Sequence, residues 1–152
     1  MKVVYGHTDS IYVQIDSVEK AEEAIKEIKS SVREHFPNVM GLEQHPVVLE
    51  FEKYYSALGV GTTKNRNAGM ITWKDGEWLD EPEFVMTGFT AKRVSETKLA
   101  KGVQTDVLTM WVNEKPMTEI NKYLHDKYNA VINGNIPIDN IIKRSRLRED
   151  RF

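Results

Sequence analysis

The sequence predicts an α+β fold, with an antiparallel sheet and packed helices followed by a helical C-terminal segment. Three observations carry that reading: a β-rich hairpin at the N-terminus, further strand-like runs mid-chain, and helical periodicity limited to one early segment and the C-terminal part. Residues 2–5 (KVVY) and 11–15 (IYVQI) form the two arms of the hairpin. Gly6, His7, Thr8, Asp9 and Ser10 make its polar tip.

Asp16 and Ser17 are N-cap candidates for the next element, in which Val18, Ala21, Ile25, Ile28, Val32 and Phe36 recur at steps of three and four. The opposite face is a mixture of Glu and Lys suited to solvent, and Pro37 and Asn38 close the helix. A loop then leads to residues 47–54 (VVLEFEKY), whose alternation predicts a strand with Leu49 and Phe51 on one face and Glu50 and Glu52 on the other. Strand-like runs follow at 58–63, 69–74 and 84–89, with Asp75 and Gly76 as a turn signal. Leu99, Val103, Val107, Met110 and Trp111 mark one C-terminal helix, and Ile120, Leu124, Tyr128 and Val131 mark another. Asn133, Gly134 and Asn135 end the second, Pro137 keeps it from resuming, and the basic run 143–151 reads as a short exposed helix or a frayed end. Trp73, Trp78 and Trp111 are expected in the core or at its edge.

Composition narrows the chemistry. The 152 residues are 40% apolar and 29% charged, enough for one ordered core and with no apolar run near the ~18 residues of a membrane span. No basic region with an apolar block follows Met1, so a cytoplasmic location without membrane contact is expected. The absence of cysteine removes disulfides, thiolate zinc sites, iron–sulfur clusters and cysteine nucleophiles, and leaves oxygen or imidazole to hold any metal. A net charge of −2 means that any affinity for nucleic acid must come from local cation clusters.

The most informative stretch is Val4-Tyr5-Gly6-His7-Thr8-Asp9-Ser10-Ile11-Tyr12-Val13. It resembles the Tyr-Gly-Asp-Thr-Asp-Ser hairpin of family B DNA polymerases, with His7 in place of the first aspartate. A tight tip on paired strands suits a carboxylate that must be held in fixed geometry for a hard divalent cation, and Asp9 is that carboxylate. Leu49-Glu50-Phe51-Glu52-Lys53-Tyr54-Tyr55 is similar to the family's Leu-Glu-x-Glu-Lys-x-Tyr strand. Thr63-Lys64-Asn65-Arg66-Asn67-Ala68-Gly69 is similar to its Thr-Lys-Lys-Arg-Tyr-Ala-Gly motif, with Asn65 and Asn67 replacing a cation and an aromatic ring. Thr87-Gly88-Phe89-Thr90-Ala91-Lys92-Arg93 looks like a degenerate Gly-x-Glu-x-x-Arg-Arg-Asp segment that keeps Gly88 and Arg93.

The resemblance implies the C-terminal part of the polymerase palm over residues 1–93, including the metal-binding hairpin, and the helical start of the thumb over residues 94–152. It implies Asp9 as the catalytic carboxylate shared by two Mg²⁺ ions, Glu52 as a second metal ligand, and His7, Thr8 and Ser10 as the residues around them. Lys64, Arg66, Lys92 and Arg93 are implied to contact DNA. His7 is read as tolerated variation beside a retained ligand, with lost catalysis as the alternative. For Glu50 and Glu52 a solvated pair is the alternative.

The implied partners are primer–template DNA, a deoxynucleoside triphosphate, and an upstream polymerase segment or partner subunit. The family's other essential aspartate belongs to that upstream part, so the expectation is a fragment or subunit of a DNA-directed DNA polymerase that is inactive alone. Its Mg²⁺ site would be complete only with upstream residues. An exposed sheet edge and a tendency to self-associate are expected with it. The competing expectation is a palm–thumb remnant that binds DNA or protein without catalysis.

Overall fold

The computed structural model describes residues 1–7, 9–63 and 65–145. Thr8, Lys64 and the end of the basic tail, with Arg146, Arg148 and Arg151, lie outside the described residues. The chain is mixed α and β, with a two-stranded sheet, a three-stranded sheet and helices. It divides into two compact units, one of residues 1–54 with 71–81 and one of residues 55–70 with 82–152.

In the first unit, β1 (Lys2–His7) and β2 (Ser10–Gln14) pair antiparallel with Tyr5 opposite Tyr12, Gly6 opposite Ile11 and His7 opposite Ser10. The strands reach further toward the tip than their apolar runs predict, because Gly6, His7 and Ser10 continue the ladder. The Tyr5 and Tyr12 rings meet at 5.5 Å, a cross-strand aromatic contact that fixes the register despite an irregularity between Val3 and Tyr5.

The helix α1 (Val18–His35) starts where the sequence signals it. The Ser17 hydroxyl accepts the Lys20 N–H at 3.3 Å, and Lys20 donates to Asp16 at 2.6 Å. Val18 is buried, the apolar residues after it are half-buried, and Phe36 at the end of the stripe is 60% exposed. Beyond the helix, His45 ties the chain down: one ring nitrogen lies 2.7 Å from the Phe36 carbonyl, and the other accepts the Val47 N–H at 3.1 Å. The Asn38 side chain likewise bonds both backbone groups of Leu42.

The strands β3 (Lys53–Val60), β4 (Asn67–Lys74) and β5 (Glu77–Thr87) form a sheet in the order β3-β4-β5. The sequence places the start of the first of these at Val47, and the structure starts it at Lys53. Residues 47–52 alternate in polarity without being strand, and the ladder opens only where the Glu52 carbonyl accepts the Asp75 N–H at 3.0 Å. At the β4–β5 connection Asp75 (φ 52°) and Gly76 (φ 99°) are both left-handed, the backbone of a tight hairpin turn. The runs near 77 and from 84 are one long strand that ends at Thr87, short of the expected Phe89, and Pro82 fits inside it because β5 is at the sheet edge. In the first unit Ile71 and Trp73 are buried, and Trp73 stacks on Phe51 at 4.3 Å. Trp78 departs from the expected core position and is 61% exposed.

In the second unit Ala68, Met70 and Val112 form a buried cluster, with Ala57, Phe84, Met86, Phe89 and Leu108 packed against it. The helices are α2 (Lys98–Val112), α3 (Met117–Ile132) and the short α4 (Ile138–Ile141). Thr97 caps α2 by accepting the Ala100 N–H at 3.0 Å. Both long helices end alike. Lys115 N–H reaches the Met110 carbonyl and Glu114 N–H that of Trp111, while Asn135 and Gly134 do the same to Ala130 and Val131. The left-handed residue is Glu114 in one and Gly134 in the other. The periodicity locates α3 correctly, but only Ile120 of its stripe is buried; Leu124, Tyr128 and Val131 are exposed. Among the described residues no helix is long and apolar enough to cross a membrane.

Tyr123 on α3 donates to the Asp106 carboxylate on α2. Burial, that hydrogen bond and the adjacent negative charge together hold its phenol well above the ordinary tyrosine range. Any stability it gives is present below the normal tyrosine pKa and is lost as pH rises past it. In a titration of phenolate absorbance, parent protein and Tyr123→Phe are expected to coincide through about pH 11, where an ordinary tyrosine is mostly ionised. A parent signal larger by one phenolate in that range would contradict the assignment.

Candidate functional site

The first unit presents carboxylates. Asp9 sits at the hairpin tip just beyond the paired residues His7 and Ser10, and the Ser10 hydroxyl donates to its carboxylate at 3.3 Å. His7, Asp9 and Ser10 are exposed, so the tip offers a solvated oxygen donor on a fixed scaffold. Thr8, the remaining tip residue, is outside the described residues. Glu52 is exposed as well, with the Lys53 ammonium at 3.9 Å. Because it precedes β3, strand alternation does not decide where it points. Among the described residues no three His, Asp or Glu side chains converge into a metal-holding group.

The second unit presents cations. The β3–β4 connection is closed by Gly61 N–H donating to the Arg66 carbonyl at 2.7 Å, and Asn65 within it is left-handed at φ 62°. Asparagine tolerates that conformation far better than most residues, which accounts locally for an amide where a cation is expected. Lys64 in the same turn is outside the described residues.

Gly88 lies directly against this turn. Its φ is +75°, and a Cβ there would overlap the Asn65 carbonyl oxygen and come within 3.2 Å of Arg66 Cγ. The chain then enters a single 3₁₀ turn, Thr90–Lys92, capped by Arg93, whose N–H bonds the Thr90 carbonyl at 2.8 Å. Arg66, Lys92 and Arg93 are all exposed. The close approach of Gly88 to the 61–66 turn thus brings the segments that bear them together at one edge of this unit.

Motif reading did not identify what holds that edge. Gln104, on α2, accepts hydrogen bonds from both the Thr90 hydroxyl (3.0 Å) and the Ala91 N–H (2.6 Å). No sequence signal links residues so far apart, and Gly88 stood out only as the retained glycine of a degenerate motif, with no sign of its contact on Asn65.

Chemically, a row of exposed cations on constrained turns is suited to phosphate oxygens, and a carboxylate on a rigid hairpin tip to a hard cation. The chain matches the family model for DNA polymerase family B over residues 1–151. It is 31% identical over 110 residues to the DNA polymerase catalytic subunit of Human herpesvirus 7 (strain JI), covering 72% of this chain and 10% of the viral protein. It is 26% identical over 141 residues to the DNA polymerase of Archaeoglobus fulgidus, covering 93% of this chain and 16% of that protein. The chain therefore spans a small part of the length of both relatives.

Proposed function

Because the chain belongs to DNA polymerase family B, we propose that it serves as part of a DNA-directed DNA polymerase and contributes to nucleotidyl transfer only when completed by an upstream polymerase segment or partner subunit. Residues 1–93 are then the C-terminal part of the palm and residues 94–152 the start of the thumb. The observation that supports this best is Asp9 at the tip of a short, register-locked hairpin.

Asp9 and Glu52 have the right chemistry for Mg²⁺, which takes hard oxygen ligands and is usually held by one or two carboxylates together with substrate phosphates. They do not make a site by themselves, since among the described residues no three or more His, Asp or Glu side chains group to hold a metal. When bound in the completed enzyme, Mg²⁺ would neutralise triphosphate charge and lower the pKa of the attacking hydroxyl. The part played by this chain is to hold the Asp9 carboxylate still, with Ser10 donating to it, and to place Arg66, Lys92 and Arg93 where DNA phosphates pass. Lys64 belongs with those cations by motif.

The test is reconstitution. The chain is mixed with a separately produced upstream segment of a family B polymerase, and extension of a labelled primer on its template is followed with Mg²⁺ and deoxynucleoside triphosphates. Extension is expected with both components together and with neither alone. No extension at any ratio, with DNA binding retained, would instead favour a non-catalytic remnant, the reading that His7 in place of the motif's first aspartate suggests.

A further inference from the structure

The double hydrogen bond to Gln104 has no part in the resemblance to polymerase motifs. We propose that Gln104 is a positioning residue for DNA binding, acting through the Thr90–Lys92 turn to fix Lys92 and Arg93 beside Arg66. This inference rests on the reading of those cations as phosphate contacts.

The turn is only a single 3₁₀ turn, too short to persist by its own hydrogen bonds. Within it, Arg93 N–H bonds Thr90 and Lys92 N–H bonds Phe89. Its anchorage comes from outside. Phe89 packs against the buried cluster just before the turn, and Gln104 takes the Thr90 hydroxyl and the Ala91 N–H from the α2 side. Gln104 and both of its partners are partly buried, whereas Lys92 and Arg93 are exposed. The side chain thus grips the inner face of the turn and leaves the charged face outward. On the other side, Gly88 seats the segment against the turn that bears Arg66. Cations held in this way keep their spacing when they meet a phosphate backbone, and less conformational entropy is lost on binding.

Binding of the full chain to primer–template DNA is measured by fluorescence anisotropy across a salt series. Each phosphate contact contributes about 0.9 to the slope of log K against log salt. Lys92→Ala and Arg93→Ala are each expected to reduce the slope by roughly that amount. Gln104→Leu, which removes no charge, is expected to lower the slope too, and to add little in a Lys92→Ala/Arg93→Ala background. Loss of folded protein alone would lower the apparent binding constant by the same factor at every salt concentration and leave the slope unchanged. If Gln104→Leu does not fold, Thr90→Val takes its place, removing one of the two hydrogen bonds, with a smaller reduction of slope expected.

If the lysine and arginine variants keep the parental slope, the phosphate-contact reading fails, and this inference with it. If they lower the slope while Gln104→Leu, or Thr90→Val in its place, leaves it unchanged or acts independently of them, the inference alone is overturned.

Discussion

Replacing Asp9 by alanine is expected to lower primer extension by the reconstituted polymerase by ~10³-fold or more, the equivalent of about 4 kcal/mol of transition-state stabilisation. The hairpin itself should survive the change. Asp9 lies at an exposed tip, its hydrogen bond from Ser10 is a surface contact, and the register is set further back by the Tyr5 and Tyr12 pair. Stability therefore moves by no more than about 1 kcal/mol while activity collapses. DNA binding by the chain is expected to stay level or strengthen slightly, because the change removes a negative charge. Asp9→Asn keeps the shape and loses the charge, and it is expected to be nearly as defective as Asp9→Ala. Extension that is indifferent to either variant would show that the hairpin takes no part in the chemistry.

The second large effect belongs to Gly88. In Gly88→Ala the new methyl group meets both a left-handed backbone, which costs about 1–2 kcal/mol, and the Asn65 carbonyl, which must shift at a further cost of about 1–3 kcal/mol. Urea denaturation should show a loss of about 2–5 kcal/mol in total. An internal control is available in Gly102, a helical glycine of α2 with nothing within 4 Å of its Cβ position. Gly102→Ala is expected to raise stability by about 0.5–1 kcal/mol. Equal and small effects at both positions would mean that the 61–66 turn does not rest on Gly88. Because that turn bears Arg66, Gly88→Ala should also weaken DNA binding.

The order of elements was legible in the sequence because each rests on local physics. The alternation of residues 11–15, the Ser17 cap and the steps of three and four through α2 and α3 act over a few residues each. The start of β3 was not legible. The pattern at 47–52 satisfies strand alternation, yet a strand exists only where a neighbour accepts and donates, and that begins with Glu52 and Asp75. Burial was also overestimated, since periodicity marks an apolar face without saying that anything covers it. Tyr128 and Trp111, at 63% and 50% exposure, are such cases.

The same division runs through the candidate site. Asp9, Arg66, Lys92 and Arg93 were found as residue types in a motif order. The contacts around the segments of the last three, a glycine pressed on a carbonyl and a glutamine bonded across a gap of more than ten residues, are products of tertiary structure.

Pro82 bears on how this protein behaves at high concentration. It interrupts the donor row of β5 at an outer edge of the three-stranded sheet, so another copy cannot extend that sheet by continuous pairing along this strand. The N-terminal hairpin has no proline in either strand and shows Val3, Val4 and Ile11 at its surface. Self-pairing of the hairpin strands is therefore not blocked in the way it is along β5, and a lysine at Val3 or Ile11 is expected to act as a gatekeeper there, lowering aggregation of the purified protein.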